Sequence, residues 1–158
     1  MILYTISELI TLRQETAIKG HTIGWTGGCF DIMHPGHIAN FEYLRSQCDI
    51  VVVGLNADSS PYFASKPGRP INSEDFRARM LLALQSVNYV YIFDTQTPMD
   101  AIAALKPDLC LKGGDYQLED LPEYPIVAAY GGKFEIHPVV GEYSTSAVIR
   151  KILATYGA

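Results

Sequence analysis

The chain has 158 residues, 48% of them hydrophobic and 18% charged, so it is long enough to bury the core of a single domain spanning 1–158. Its net charge of −5 argues against a general nucleic-acid surface, which needs basic side chains. The start of the chain lacks the basic and apolar stretches of a signal peptide, and no segment reads as a membrane span. We therefore expect a cytoplasmic protein with no nucleic-acid partner and no membrane partner.

The cysteines favour a reducing compartment. Cys29, Cys48 and Cys110 are an odd set without CxxC spacing, as expected for free thiols. Cys48 and Cys110 read as small core residues. Cys29 lies in a glycine-rich segment, where its backbone N–H matters more than its sulfur.

Segments of helical period alternate with short apolar runs along the chain. The periodicity predicts helices at 7–19, 36–47, 73–86, 98–105, 124–130 and 144–156. The apolar runs predict strands at 22–26, 49–56, 90–93, 109–112 and 134–137. This alternation predicts an α/β fold, a single doubly wound parallel sheet with helices on both faces.

Distinctive segments follow these strands, where open parallel sheets bind their ligands. They are a glycine turn leading to two histidines, a proline-rich loop at 57–71, a Lys-Gly-Gly-Asp turn at 112–115, and 139–144 before the last helix. We expect them to share one rim.

The histidine segment is the most informative of these. Gly27-Gly28-Cys29-Phe30 precedes His34 and His37 at the start of a helix, where free N–H groups and the helix dipole attract anions. The histidines add donors that can take charge developing on a phosphoryl group. Two other interpretations are polar residues at a helix start and a zinc pair, which would need a third ligand. Neither a Walker A loop nor GxGxxG is present, which disfavours P-loop hydrolysis and dinucleotide redox chemistry.

Further candidates lie in the other segments. Lys66 is either a solvated loop lysine or a cation that closes over polyphosphate. Arg77 could pair with Glu74 on a helix surface. Asp115 is either a turn residue or a contact to a ribose or base. Ser144 is an expected N-cap, a role compatible with a phosphate cradle at the same helix start.

On these residues the chain resembles the cytidylyltransferase-like nucleotidyltransferase superfamily, whose signature is HxGH after a strand and a Ser/Thr-rich helix start. Within it, the chain is most similar to D-glycero-β-D-manno-heptose 1-phosphate adenylyltransferases, the ADP-heptose synthase domain. The segments that carry this likeness are Gly28–Asp31, His34–His37, Arg69–Asn72, Lys112–Tyr116 and Tyr143–Ser146.

The resemblance implies a Rossmann-like nucleotidylyltransferase fold and an attack by a sugar 1-phosphate on the α-phosphorus of ATP, releasing pyrophosphate with Mg²⁺. It implies catalytic roles for His34, His37 and Lys66. It implies nucleotide binding by Gly28, Cys29, Phe30, Asp115, Ser144, Thr145 and Ser146, and substrate binding by Asp31, Arg69, Arg77 and Lys112. No protein side chain is implied as a metal ligand, and relatives suggest a homodimer.

Two departures from the superfamily pattern and two alternatives remain. Val139–Tyr143 lacks the arginine of the glycerol-phosphate cytidylyltransferases, and Ser146 stands where a threonine is common. A cytidylyltransferase that uses CTP and glycerol 3-phosphate, or another small phosphorylated acceptor, is the alternative enzyme. A nucleotide-binding module without turnover is the alternative of another class.

Overall fold

The computed structural model describes residues 1–138 and 144–157. Its strands are Ile2–Leu3 (β1), Ile23–Gly28 (β2), Ile50–Asn56 (β3), Tyr89–Phe93 (β4), Leu109–Gly113 (β5) and Lys133–His137 (β6). Its α-helices are Ile6–Ile18 (α1), Pro35–Gln47 (α2), Glu74–Leu82 (α3), Met99–Leu105 (α4), Tyr124–Ala129 (α5) and Thr145–Tyr156 (α6). Short 3₁₀ helices lie at Pro61–Phe63 and Leu118–Asp120. Among the described helices, none is long and apolar enough to cross a bilayer.

The described strands form one sheet in the order β1-β4-β3-β2-β5-β6, and each neighbouring pair is parallel. The chain first builds outward from β2 to β3 and β4. It then returns through α4 to place β5 on the other side of β2. The order therefore switches between β2 and β5, and a ligand cleft is expected beyond their carboxyl ends.

Each face of the sheet has its own core. Helices α2 and α3 cover the face that we call the α2 face, and α1, α4 and α5 cover the α4 face. Along β3, Val51 and Val53 join the core of the α2 face, whereas Val52 joins that of the α4 face. This alternation follows from the two-residue period of a strand. The predicted doubly wound parallel sheet with helices on both faces is confirmed.

The largest difference from the sequence prediction concerns β2. The strand was expected to end at residue 26 in a glycine turn, but Gly27 and Gly28 pair in register with Gly54 and Leu55 of β3. Gly27 and Gly28 are therefore the last residues of β2, paired with β3, and the turn begins after them. The two-residue β1 was not predicted because it is too short to show a pattern, and α3 ends four residues before the predicted residue 86.

The core cysteines lie where the sequence predicts, and Trp25 is also buried. The Trp25 ring packs directly over Gly54, where an added Cβ would come within 2.4 Å of the indole. Cys48 and Cys110 are buried, and burial raises the pKa of the Cys110 thiol to about 12.

Arg77 differs from both of its predictions, because only 1% of its surface is exposed. Its guanidinium donates to the carbonyl oxygens of Asn72, Cys29 and Asn56, and also to the carboxylate of Asp58. These partners lie at the ends of β2 and β3 and at the start of α3. Arg77 is therefore neither a surface partner of Glu74 nor a substrate ligand, because its donors already serve the backbone of the rim.

We expect Arg77→Met to lower the free energy of unfolding by at least about 3 kcal/mol, because buried carbonyl oxygens would lose their donors. Arg79→Met is the matched control, because Arg79 is exposed on the same helix. Urea denaturation of both variants measures the difference. Equal stabilities would contradict the structural role of Arg77.

Candidate active site

A cleft of about 1050 Å³ lies beyond the carboxyl ends of β2 and β5. The expected segments contribute to it, since its wall contains Gly27–Phe30, His37, the 66–69 stretch, Lys112 and the start of α6. Its volume is at the upper end for a ligand pocket, which suits a nucleotide with a second small substrate.

His37 enters the wall from the first turn of α2. The backbone N–H of His34 donates to Nδ1 of His37 over 3.3 Å. Because Nδ1 accepts this hydrogen bond, the ring proton of a neutral His37 resides on Nε2. The helix start therefore gives the cleft an imidazole N–H donor of defined tautomer.

Both histidines favour the neutral form. Burial, and secondarily the neighbouring His34, lower the pKa of His37 to about 4. Burial also lowers the pKa of His34. The two rings stack with centroids 3.7 Å apart, and His34 lies behind His37 instead of in the cleft wall. Gly36 permits this arrangement, since an added Cβ there would lie 3.2 Å from the His34 ring.

Gly28, Cys29 and Phe30 line the cleft as expected for a nucleotide-binding segment. The backbone φ angle of Phe30 is 43°, which lies in the left-handed region that residues other than glycine rarely adopt. Its ring packs against Phe41 and meets His37 edge-on, with centroids 5.2 Å apart. This packing holds the chain in its turn toward α2.

Asp31 holds the proline-rich loop and does not face a ligand. Its carboxylate accepts the backbone N–H groups of Ile71 and Asn72 and pairs with Arg69. Burial opposes ionisation, but the two N–H groups and the Arg69 guanidinium outweigh it and hold the pKa of Asp31 below its usual value. The prediction of Asp31 as a substrate ligand is corrected, because its side chain has no exposed surface.

The loop brings Lys66 and Arg69 to the wall of the cleft. Lys66 Nζ lies 3.8 Å from the centroid of the Tyr62 ring and also contacts the Tyr62 hydroxyl. Arg69 lines the cleft while it is paired with Asp31. Both cations therefore lie where a polyphosphate could meet them.

Lys112, near the carboxyl end of β5, lines the cleft, whereas Asp115, in the turn that follows, does not. Gly114 has φ 136, and the turn that it makes brings the Tyr116 ring to the wall while Asp115 remains exposed. The turn interpretation of Asp115 therefore fits its place, and its contact to a nucleoside stays a prediction. An added Cβ at Gly113 would lie 2.3 Å from the amide nitrogen of Asn40, so a side chain there would displace that of Asn40.

The start of α6 completes the wall with Thr145 and Ser146. Ser144 caps this helix, accepting the N–H of Ala147, and it does not itself line the cleft. The Thr145 hydroxyl donates to the carbonyl of Ile32 over 2.9 Å, which ties α6 to the loop before α2. Residues 139–143 of the predicted 139–144 segment lie outside the described residues.

The metal-ligating side chains of the described residues do not gather. Nowhere in 1–138 and 144–157 do three His, Cys, Asp or Glu side chains form a group that could hold a metal ion. Among these residues, His34 and His37 therefore have no third ligand with which to hold zinc. The described wall contains two carboxylates, Asp120 and Glu123, and Glu123 is already paired with Lys112.

Sequence reasoning missed several residues of the wall, including Asn40, Tyr62 and Glu123. Asn40 lies one helical turn after His37, a spacing that places both on one side of α2. Tyr62 precedes Lys66 within the same loop. No local pattern marked Glu123, whose place depends on how β5 and α5 pack.

Comparison with known proteins agrees with this geometry. The model of the cytidylyltransferase-like family matches residues 25–151. Two proteins named bifunctional protein HldE, from Hyphomonas neptunium and Pseudomonas fluorescens, are 53% and 40% identical over 94% of this chain. The chain spans only about a third, 31%, of the length of each.

Two solved structures share the fold. The lipopolysaccharide core biosynthesis protein of Thermoplasma volcanium is 25% identical, with a TM-score of 0.60 over 79% of this chain and 100% of its own. Pantoate-beta-alanine ligase of Francisella tularensis is 16% identical, with a TM-score of 0.61 over 92% of this chain and 69% of its own, and shows the fold alone. The family match begins within β2 and covers β3 to β6, both histidines and most of α6, and on this basis the chain belongs to the cytidylyltransferase-like family of nucleotidyltransferases.

Proposed function

We propose that this chain transfers AMP from ATP to D-glycero-β-D-manno-heptose 1-phosphate and releases pyrophosphate. The observation that carries the proposal is the hydrogen bond that leaves the His37 proton on Nε2, at a residue in the wall of a cleft that Lys66 and Arg69 also line. The heptose acceptor is supported by the resemblance of the motifs, by the relatives named HldE, and by the structural neighbour named for lipopolysaccharide core biosynthesis.

The proposed reaction is one in-line displacement. An oxygen of the sugar phosphate forms a bond to the α-phosphorus, and the bond from that phosphorus to the α,β-bridging oxygen breaks. Its electron pair leaves with pyrophosphate. No general base is needed, because the attacking phosphate is already an anion, so the protein acts by positioning and by stabilising charge.

Each part of the wall has a role in this proposal. His37 donates from Nε2 to the α-phosphoryl oxygens as charge develops there, and His34 orients it through its N–H and its stacked ring. The start of α6 faces the β- and γ-phosphates, since N-terminal N–H groups attract anions. Lys66 and Arg69 neutralise charge from the loop, and Lys112 contacts the acceptor.

Mg²⁺ fits this site as part of the substrate. The described residues offer no carboxylate cluster, and a triphosphate supplies the oxygen ligands that Mg²⁺ prefers. We therefore propose that ATP binds as its magnesium complex, in which the ion offsets phosphate charge.

A cytoplasmic homodimer also remains part of the proposal, and the exposed apolar side chains of Ile152, Leu153 and Tyr156 on α6 are compatible with self-association.

Pyrophosphate release with Mg²⁺ tests the reaction, with ATP or CTP paired with heptose 1-phosphate or glycerol 3-phosphate. We expect turnover with ATP and heptose 1-phosphate. Turnover with CTP and glycerol 3-phosphate alone would contradict the proposed substrates and support the cytidylyltransferase alternative.

We expect His37→Ala to lower kcat by about 10²–10³-fold, because one donor to the developing charge is lost. Nucleotide binding, measured by calorimetry, should be largely retained. His21→Ala is the control, since His21 is exposed and does not line the cleft. Loss of affinity with an unchanged kcat would indicate a binding role without transition-state stabilisation.

The ring of His37 should titrate with a pKa of about 4 in the free protein, far below the ordinary 6.5. The unfolded chain then binds this proton more tightly, so the contribution of His37 to stability is complete above pH 6.5 and is lost as the pH falls toward 4. Histidine NMR resonances followed against pH measure the midpoint. A midpoint near 6.5 would show that the ring is neither buried nor held as described.

A further inference from the structure

The side-chain amide of Asn40 is held by a histidine of the sheet. Asn40 lies on α2, one helical turn after His37, and it lines the cleft. Nδ1 of His137, the last residue of β6, lies 2.7 Å from Oδ1 of Asn40. Because an amide oxygen only accepts, Nδ1 of His137 carries the proton of this hydrogen bond. The contact therefore fixes which way round the Asn40 amide lies.

His137 is itself fixed in place. It pairs in register with Gly113, the last residue of β5. Its ring stacks on that of Tyr43, with centroids 4.9 Å apart and 18° between the planes. The Tyr43 hydroxyl in turn donates to Glu135 of β6 over 2.7 Å. The donor that orients Asn40 is therefore part of a network that joins α2 to β6.

The amide nitrogen of Asn40 remains for a ligand. Nδ2 donates to no described residue, and the described polar atoms that are both buried and unpaired belong to other residues, so Nδ2 is accessible. It lies against Gly113, another residue of the cleft wall, where an added Cβ would come within 2.3 Å of it. Nδ2 therefore lies at the end of β5 that borders the cleft.

The amide of Asn40 suits a ligand group that accepts hydrogen bonds. Its oxygen already accepts from His137, whereas both of its N–H groups lack a described acceptor. Phosphate oxygens are acceptors, and their negative charge strengthens a hydrogen bond from an N–H group. Hydroxyl groups of a sugar also donate, and the occupied oxygen of Asn40 is less suited to them.

Asn40 also connects the two elements that the proposed function assigns to the nucleotide phosphates. His37, one turn before it on α2, is proposed to meet the α-phosphoryl group. His137 belongs to β6, the strand that precedes α6 along the chain, and the start of α6 is proposed to face the β- and γ-phosphates. The hydrogen bond from Thr145 to Ile32 brings that helix start to the loop before α2.

We propose that Asn40 donates a hydrogen bond to the phosphate chain of the bound nucleotide, with His137 as the positioning residue that orients its amide. This inference rests on the proposed nucleotidyl transfer and adds to His37 a second donor on the same side of α2. An asparagine present only for the contact to His137 would work equally well as an aspartate, because a carboxylate also accepts from Nδ1.

The test compares Asn40→Ala and Asn40→Asp in titration calorimetry with the magnesium complex of ATP. Losing a hydrogen bond to a charged group should weaken ATP binding about 10–100-fold in Asn40→Ala. Asn40→Asp should lose more, because its carboxylate repels phosphate. Adenosine, which has no phosphate, should bind these variants within about 2-fold of the unmodified protein. Gln47→Ala, which removes an exposed amide from the last turn of α2, is the matched control.

The positioning role of His137 has its own measurement. His137→Phe keeps a ring that can stack on Tyr43 but removes the donor to Asn40, so we expect a smaller loss of ATP affinity than in Asn40→Ala. In the Asn40→Ala background the same substitution should cause no further loss, because the amide that it orients is gone. Losses that add in the double variant would overturn the positioning role.

Three results would overturn the contact to phosphate. They are unchanged ATP affinity in both Asn40 variants, an equal loss of affinity for adenosine, which would assign Asn40 to the nucleoside, and a rise in KM confined to heptose 1-phosphate. Thermal unfolding establishes that each variant is folded, and Asn40→Asp retains the acceptor for His137 if Asn40→Ala does not fold.

Failure of this inference is distinguishable from failure of the proposed function. A chain that binds ATP through Asn40 but transfers nothing to a sugar 1-phosphate would contradict the proposed function alone. An active enzyme indifferent to Asn40 would contradict only this inference, and a chain that binds no nucleotide would contradict both.

Discussion

The site depends on a hydrogen bond between a backbone N–H and an imidazole at the start of α2. The N–H of His34 is one of the donors that a helix start leaves unpaired, and Nδ1 of His37 accepts it. This contact fixes the tautomer of the ring, whose proton is then on Nε2. Burial lowers the pKa of the ring and keeps it neutral, so in the proposed reaction His37 would act as a neutral hydrogen-bond donor to phosphate.

Buried charges on both sides of this helix start hold the loops in place. Asp31 binds the backbone of 71–72 and the Arg69 guanidinium, while Arg77 binds carbonyl oxygens at the ends of β2 and β3. Leaving either charge unpaired would be costly, so each fixes its partners strongly. The loop that carries Lys66 is thereby fastened at its carboxyl end beside His37.

Much of the fold and part of the candidate site could be predicted from the sequence, because the patterns that indicate them are local. Helical period, buried apolar runs and the HxGH motif gave the sheet type, the rim and the placement of His37. The roles of Asp31 and Arg77 could not be predicted, because the sequence around a charged residue does not distinguish a side chain that binds a ligand from one that binds the protein backbone. Glu123 was missed for a related reason, since only the folded chain, with α5 packed beside β6, brings it to Lys112. The need for glycine at position 54 could not be predicted either, because it depends on the packing of the Trp25 ring against that position in the folded chain.

The most direct test of the account is the stereochemical course at the α-phosphorus, measured with chiral ATPαS and the sugar phosphate acceptor. Histidines that only donate hydrogen bonds permit one in-line displacement, so we predict inversion of configuration. Retention would require two displacements through a nucleotidylated residue. That result would contradict the central claim that this protein positions both substrates and forms no covalent intermediate.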